Sequence, residues 1–283
     1  MTWSERIEEC NRHEPARFVP LVAGGVRVGA VRRDRLDALA RAGDAAWIAE
    51  DGCVVRGDDF ATRCDAFTAI VRALHASRSI RRPTGELYPV ATRVGAPPLA
   101  LVDRAAVSFL GVASCGVHVN GWVGGADGPS MWIATRARGK PLYPGLLDNM
   151  VAGGHPHGIG LMANVVKECG EEAGIPRELA GTARSVGFVS YVREDEFGLR
   201  PDTLFCFDLE LPREFVPRCV DGEVESFELL PIDAVVALAR DTTRFKFNCS
   251  LVILDFLLRH GRLDVDGAEY LALATALRRE PPA

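Results

Sequence analysis

The feature that most constrains this chain is a short helix enclosed by glycines. A glycine-rich segment, residues 153–160, precedes a run whose apolar spacing predicts a helix over Leu161–Ala173, and Gly174 follows it. Glycine adopts without strain the left-handed conformation that ends a helix, so we expect the helix to stop there. The fold must therefore provide a loop, one compact helix and a second turn in direct succession.

Three carboxylates share one face of this predicted helix. Glu168, Glu171 and Glu172 stand at positions i, i+3 and i+4. Like charges at this spacing repel one another and lower helix stability. A divalent cation would remove that cost, because hard cations such as Mg²⁺ bind carboxylates together with substrate phosphates. A solvated acidic face is the alternative interpretation of the same pattern.

The joint spacing of glycines and glutamates resembles the Nudix box, Gly-x5-Glu-x7-Arg-Glu-U-x-Glu-Glu-x-Gly-U, where U is a bulky apolar residue. The matching positions are Gly153, Glu168, Glu171, Glu172, Gly174 and Ile175. The departures are Ile159 for the first Glu, Lys167 for Arg and Cys169 for the first U. The resemblance implies a Nudix hydrolase that cleaves a diphosphate linkage with Mg²⁺, or Mn²⁺ in its place.

Segments outside the box resemble one Nudix subgroup. They are residues 118–122, 131–136, 144–154, 221–227 and 244–249. The subgroup includes the Nudix portion of fungal thiamin pyrophosphokinases and related plant and bacterial proteins with an extra N-terminal domain. Its members are linked to hydrolysis of thiamin diphosphate in damaged or analogue forms, giving the monophosphate. The resemblance therefore implies a small-molecule diphosphate as the substrate.

The resemblance also implies roles for individual residues. The expected metal ligands are Glu168, Glu171, Glu172 and the backbone carbonyl of Ala152. The expected catalytic general base is Glu171 or Glu225, with Glu223 as a third candidate. The expected substrate-binding residues are Arg136, Lys140, Gly153 and Gly154. Cations suit phosphate oxygens, and glycines let a ligand approach the backbone closely.

Other candidate residues have two interpretations each. His155 and His157 flank a proline in the glycine loop, where a histidine either binds metal or is simply exposed. Aromatic side chains in predicted strands either stack on a substrate ring or fill the core. Those aromatics are Trp122, Trp132, Tyr191 and Phe197.

The rest of the sequence predicts an α/β protein with two domains. A connector rich in proline and glycine, residues 82–98, separates a mixed first region from a region of strands, the first of them predicted at Ala106–Val112. We predict a small α+β accessory domain over residues 1–105. A Nudix-type α/β/α sandwich with a mixed sheet is predicted over residues 106–283.

Composition narrows the partners. The net charge of −5 argues against nucleic acid or an anionic membrane as the main partner, since both select basic surfaces. A run of about 18 apolar residues, which a membrane span needs, is missing from the sequence. The eight cysteines form no Cys-x-x-Cys pair, so we expect free thiols and predict a cytoplasmic location. A homodimer is left open, because Nudix proteins commonly dimerise.

Two further functions stay open at this point. One is broader cleavage of compounds such as ADP-ribose or NADH, and the other is a non-catalytic Nudix-fold module that binds a ligand. The three retained glutamates favour catalysis. Ile159, in place of the first glutamate of the box, favours the binding module.

Overall fold

The computed structural model describes residues 1–49, 52–126 and 128–279. The strands of its first part are β1 (Phe18–Ala23), β2 (Val26–Arg32), β3 (Ala46–Ala49), β4 (Gly52–Val55), β5 (Leu87–Val90) and β6 (Ala100–Asp103). The first four form one sheet in the order β2-β1-β4-β3, and β5 pairs with β6. The helices of this part are α1 (Trp3–Cys10), α2 (Leu36–Ala40), α3 (Phe60–Ala76) and α4 (Arg104–Leu110).

Helix α4 corrects a prediction. The sequence predicted a strand over Ala106–Val112, whereas the segment is helical up to Leu110. The Asp103 side chain caps the helix by accepting a hydrogen bond from the backbone N–H of Ala105 at 2.9 Å. Gly111 ends the helix in the left-handed conformation, with a φ of +59°. These two caps select a helix for a segment whose apolar composition suits either structure.

The second part contains a larger mixed sheet. Its strands are β7 (Ser114–Val123), β8 (Ser130–Arg136), β9 (Leu147–Asn149), β10 (Val151–Gly154), β11 (Arg184–Asp195), β12 (Gly198–Glu210) and β13 (Val224–Pro231). The order is β11-β12-β7-β8-β13, with β10 paired to β7 and β9 to β8. Strand β12 runs parallel to β7, and the other pairs are antiparallel.

Helices cover both faces of this sheet. They are α5 (Leu161–Ala173), α6 (Arg177–Ala180), α7 (Ile232–Asp241), α8 (Cys249–Arg259) and α9 (Tyr270–Ala276). Along β12, Cys206 packs in the core shared with α8, and its neighbour Phe207 packs in the core shared with α5. Successive strand residues point to opposite faces, so the sheet lies between two helical layers. The predicted α/β/α architecture with a mixed sheet is confirmed.

Helix α1 packs away from the sheet that follows it. Trp3, Ile7 and Cys10 are buried in the core built around α8. The Arg6 side chain donates a hydrogen bond to the carbonyl of Arg240 at 3.0 Å. The division into residues 1–105 and 106–283 stays a prediction. Among the described residues, every helix is too short or too polar to cross a membrane.

Candidate active site

Helix α5 lies where the sequence predicts it, over Leu161–Ala173. It ends at Gly174, whose φ of +62° is left-handed, and the N–H of Ile175 donates to the carbonyl of Cys169 at 3.0 Å. Val165 and Cys169 are buried between the helix and the sheet. With these side chains turned inward, the glutamates of the last two turns face β10 and solvent.

Glu168 lies directly against β10. A side chain at Gly153 would place its Cβ 2.3 Å from the Glu168 Cδ and 2.5 Å from its Oε2, closer than any real contact. Glycine is therefore required at 153 for the carboxylate to reach the strand backbone. Gly154 is required by a different neighbour, because a Cβ there would lie 2.1 Å from the Tyr88 hydroxyl oxygen.

Glu172 is a buried carboxyl group beside the same strand. Its Oε2 accepts a hydrogen bond from the backbone N–H of Ala152 at 2.9 Å, and its side chain is almost fully buried. Burial raises the pKa of Glu172 to about 8. The Ala152 N–H counteracts this rise, while the charges of Asp148 and Glu168 add to it. Burial is thus the main cause of the raised pKa of Glu172, and the neighbouring acids add to it.

Glu171 is half exposed and turns towards Lys167. The ammonium group of Lys167 donates to Glu171 Oε2 at 2.7 Å and to Glu168 Oε1 at 3.1 Å. Burial lowers the pKa of Lys167, but hydrogen bonds to the two glutamates raise it more, so the net shift is upward. The Lys167 ammonium group thus lies between two carboxylates of the box, Glu168 and Glu171, and neutralises part of their charge.

The three box glutamates do not converge on one point. Within the described part of the chain, Glu168, Glu171 and Glu172 do not bring one oxygen each within 4.8 Å of one another. Glu223 adds a fourth charge to the region. Burial raises the pKa of Glu168, and the charges of Glu171 and Glu223 raise it further, against the effect of Lys167.

The two predicted phosphate-binding cations are engaged in protein contacts. Arg136 donates to Asp148 Oδ2 at 2.7 Å and to the carbonyls of Tyr143 at 3.1 Å and Leu142 at 3.0 Å. Lys140 is paired with Glu223. Arg136 therefore holds the loop that follows β8. Of the two cations, Lys140 is the one beside the acidic cluster, which comprises Glu168, Glu171, Glu172 and Glu223.

Glu225, the predicted alternative general base, lies further out. It is exposed, and its Oε2 lies 3.6 Å from Nε of the exposed Arg138. Its neighbour Glu223, two residues earlier, is the one whose charge raises the pKa of both Glu168 and Glu172, in addition to the larger effect of burial. Of these two candidates for the general base, Glu223 influences the box glutamates and Glu225 pairs with Arg138.

Comparison with known proteins decides the family. A family model described as "Domain of unknown function (DUF4743)" matches residues 2–114. The chain is 40% identical over 287 residues to Nudix hydrolase 20, chloroplastic, of Arabidopsis thaliana, covering 97% of this chain and 77% of that protein. Nudix hydrolase 24, chloroplastic, of the same plant is 40% identical over 280 residues with the same coverage. The chain belongs to the Nudix hydrolase family.

The predicted enzyme class is confirmed by these relatives: the chain is a Nudix diphosphate hydrolase. A solved structure, the NUDIX domain of Shewanella oneidensis NrtR complexed with ADP ribose, is similar with a TM-score of 0.42 and 13% identity. That similarity covers 53% of this chain and 89% of the other.

The predicted cytoplasmic location is wrong. Both Arabidopsis relatives carry names that describe them as chloroplastic, which contradicts it. The prediction rested on eight cysteines without paired spacing, and these are free thiols in the structure. Free thiols indicate a reducing environment, which does not identify the compartment.

The acidic cluster fits a divalent ion by its donor chemistry. Nudix hydrolases generally use divalent metal ions, and carboxylate oxygens are the ligands that hard divalent cations prefer. The space above Gly153 that a Cβ would fill is occupied by the Glu168 carboxylate. Glu172 and the backbone of Ala152 border the same place. Glu168 and Glu172, with Glu171 after a rotation away from Lys167, are the residues that would hold the ion.

A second polar cluster, which the sequence did not reveal, lies on the α8 side of the sheet. His118, Asp148 and Cys249 are buried and bring one ligand atom each within 4.8 Å of one another. The Cys249 thiol donates to Asp148 Oδ1 at 2.8 Å, and His118 Nδ1 is bonded to Asn149 Oδ1 at 2.8 Å. Since Arg136 already balances the charge of Asp148, this cluster is a structural network. The available signal was a histidine and an asparagine at alternate positions of an apolar strand.

The remaining candidates lie outside the acidic cluster. His155 and His157 are held by backbone bonds, from the His155 N–H to the carbonyl of Cys115 at 3.0 Å and from the His157 N–H to that of Leu87 at 2.7 Å. The candidate aromatics pack on protein groups, as most strand aromatics do. Trp122 contacts Phe256 and His260, Tyr191 contacts Phe247, Phe197 contacts Arg81 and Arg200, and Trp132 lies in the α5-side core.

Proposed function

We propose that this Nudix hydrolase uses Mg²⁺, with Mn²⁺ as the alternative, to cleave thiamin diphosphate or its damaged analogues to the monophosphate. The observation that carries the proposal is the placement of Glu168 and Glu172 against β10. Glycine at 153 leaves space for the Glu168 carboxylate, and the Ala152 N–H donates a hydrogen bond to the Glu172 carboxylate. Acidic groups in excess over local cations favour a divalent ion.

Each residue of the site has a part in the proposed reaction. The divalent ion, when bound, supplies charge neutralisation for the diphosphate and makes water a better nucleophile near neutral pH. Glu168, Glu171 and Glu172 would hold the ion, with the backbone carbonyl of Ala152 as a further ligand. Lys140 contacts phosphate oxygens once it leaves Glu223, and Gly153 and Gly154 allow close approach to the backbone. Arg136 contributes by fixing the loop that carries Lys140.

A carboxylate must accept the proton of the attacking water. Glu171 and Glu225 are the proposed candidates, and Glu223 is the third. Glu171 is half exposed and Glu225 is exposed, so both are accessible from solvent. In Glu171→Gln, Glu225→Gln and Glu223→Gln, loss of the acidic limb of the kcat pH profile identifies the base. A variant that lowers kcat at every pH and keeps that limb acts in another way.

The choice of substrate rests on the resemblance of five segments to the thiamin pyrophosphokinase-related Nudix subgroup. Those segments include residues 144–154, which contain β9 and β10 beside the acidic cluster. ADP-ribose and NADH are the alternative substrates, and a non-catalytic ligand-binding module is the alternative class. The retained glutamates favour catalysis. The homodimer stays a prediction.

The test is product release from a panel of diphosphates with and without Mg²⁺. The panel contains thiamin diphosphate, its oxidised analogues, ADP-ribose and NADH, with Glu168→Gln as the low-activity control. We expect Mg²⁺-dependent monophosphate formation from the thiamin compounds alone. Cleavage of ADP-ribose or NADH instead would keep the chemistry and overturn the substrate. Ligand-induced thermal shifts without any turnover would favour the binding module.

A further inference from the structure

A cavity of about 280 Å³ lies beside the glycine loop. One wall contains residues 155–159 and Leu161, and the facing wall contains Pro89, Ala91, residues 93–96 and Pro98. The floor comes from the beginning of β7 at residues 113–115, together with Phe205 of β12. The cavity therefore joins the two parts of the chain at the box loop, and none of the reactions described above uses it.

The cavity adjoins the acidic cluster. Glu168 packs on Gly153, and His155, which lines the cavity, lies two residues further along the same extended segment. An extended chain rises roughly 3.3 Å per residue, so roughly 7 Å separate the two positions. A molecule whose phosphates lie at Glu168 can therefore place its organic part in the cavity.

The walls are mostly apolar and lack negative charge. Apolar wall residues include Pro89, Ala91, Pro98, Ile159 and Leu161. Among the described residues that line the cavity, none is an aspartate or a glutamate, and Arg93 is its permanent charge. An apolar space without acidic groups favours an uncharged ring over a cationic one.

Two polar atoms near the cavity lack partners. Among the residues that the structure describes, the buried atoms His155 Nδ1 and Asn164 Oδ1 have no hydrogen-bond partner. The Asn164 side chain is fully buried, and its Nδ2 donates to the carbonyl of Gly154 at 2.8 Å, next to His155. Buried polar atoms are normally satisfied, so His155 Nδ1, which belongs to a residue that lines the cavity, is available to a ligand atom.

From these observations we propose that the cavity binds an uncharged, flat heteroaromatic ring of the substrate, which in thiamin compounds is the aminopyrimidine and not the cationic thiazolium, with Ile159 as a specificity-determining residue. This deepens the proposed function and rests on it. A cavity of roughly 150 Å³ accommodates benzene, so the larger volume here suits a substituted or fused ring. His155 Nδ1 is placed to hydrogen-bond such a ring.

The proposal explains the departure at Ile159. This position carries a glutamate in the Nudix box, and here it is an isoleucine that lines the cavity. A carboxylate at this place would have to be desolvated when a ring enters, whereas isoleucine offers an apolar surface. The substitution is therefore a change in specificity rather than a loss of the metal site.

The test is calorimetric titration with Mg²⁺ present, using monophosphate probes that contain no diphosphate linkage to be cleaved. The probes are thiamin monophosphate and AMP, which carry a ring, and ribose 5-phosphate, which carries none. We expect the wild-type protein to bind at least one ring-bearing probe at least tenfold more tightly than ribose 5-phosphate. Ile159→Trp and Ala96→Trp, which fill the cavity from opposite walls, should reduce this preference to within twofold.

Met162→Trp is the matched control, because Met162 is exposed on the first turn of α5 and does not line the cavity. It should keep the preference. Ile159→Ala cannot overfill the cavity and should weaken ring binding by a smaller factor, which decides the matter if a tryptophan variant unfolds. The proposal is overturned if the wild type shows no ring preference, or if the preference survives these substitutions. Ring binding without Mg²⁺-dependent hydrolysis would instead sink the proposed function alone.

Discussion

Two sets of carboxylates on either side of the large sheet are balanced in opposite ways. On the α8 side, Asp148 lies 2.7 Å from Arg136 and 3.5 Å from Lys246. Burial would raise the pKa of Asp148, but Lys246, His118 and Arg136 hold it at about 2. On the α5 side, burial raises the pKa of Glu168, and it raises the pKa of Glu172 to about 8.

The pKa values of buried carboxyl groups on the two sides thus shift in opposite directions, because Asp148 has nearby cations that Glu172 lacks. Asp208 on the α8 side is also matched, by Arg259 Nη2 at 3.0 Å and His260 Nε2 at 2.9 Å. A buried carboxylate with its partners is part of the fold, and a group of acids short of partners favours a ligand that brings positive charge. The balance of charge, more than the presence of acids, separates the structural network from the candidate site.

The largest expected effect is on turnover. Glu168→Gln should lower kcat by about 100-fold or more, since loss of one preorganised electrostatic group costs that much in many enzymes. The melting temperature should stay unchanged or rise, because a repulsive charge is removed. Steady-state kinetics with Mg²⁺ and thermal unfolding measure the two quantities.

The control for Glu168→Gln is Glu178→Gln, an exposed carboxylate on α6. It should leave kcat and stability within error of the wild type. If Glu168→Gln kept full Mg²⁺-dependent turnover, the α5-side acids would not form the metal site.

The second expected effect is on stability. Asp148→Asn removes the charge that Arg136 and Lys246 balance, and breaking a buried pair typically costs about 3–5 kcal/mol. Urea unfolding should show this loss, while the exposed Asp65→Asn should change stability by less than about 0.5 kcal/mol. An Asp148→Asn protein as stable as the wild type would mean that the network adds nothing to the fold.

The two sides also differ in how far the sequence predicts them. The bounds of α5 follow from local signals, namely helical spacing that ends at Gly174. The α8-side network does not follow from local signals. Asp148 forms its hydrogen bonds with Arg136, Lys246 and Cys249, which lie 12, 98 and 101 residues away along the chain. Such pairs are created by the pairing of strands and the packing of α8, which a local pattern does not contain.

Within the candidate site, the sequence likewise predicts some features and not others. It identifies the glutamates, but the pairing of Lys140 with Glu223 spans 83 residues and is visible only in the fold. It also misplaces α4 as a strand, since the caps at Asp103 and Gly111 decide between two structures that its apolar residues suit equally. Roles of single side chains depend on neighbours that are distant along the chain.

The third prediction is that the two sides respond to pH in opposite directions. Burial, with Lys246 and Arg136 nearby, lowers the pKa of His118 to about 4, so the folded protein resists a proton that the unfolded chain binds near its ordinary pKa of about 6.5. Stability from this group is lost as pH falls from about 6.5 to about 4, by roughly 3 kcal/mol. The raised pKa of Glu172, about 8, has the reverse effect, since stability is lost as pH rises.

Urea unfolding between pH 4 and 8 in EDTA checks both signs. Relative to wild type, His118→Gln should become less destabilising as pH falls, and Glu172→Gln should become more favourable as pH rises. Parallel pH profiles for the two variants would contradict the opposite balance of charge on the two sides.

The smallest expected effect concerns the cation on the α5 side. Lys167 bridges Glu168 and Glu171, but it is partly exposed, and solvent-screened ion pairs contribute about 0–1 kcal/mol. Lys167→Gln should therefore lower the free energy of unfolding by less than about 1 kcal/mol, while Lys246→Gln should cost more because Asp148 is buried. Mg²⁺ should still raise the melting temperature of Lys167→Gln, since the ion and the ammonium compete for the same oxygens. A loss of several kcal/mol would mean that Lys167 neutralises its side as fully as Arg136 does the other, and the distinction between the two sets of carboxylates would fail.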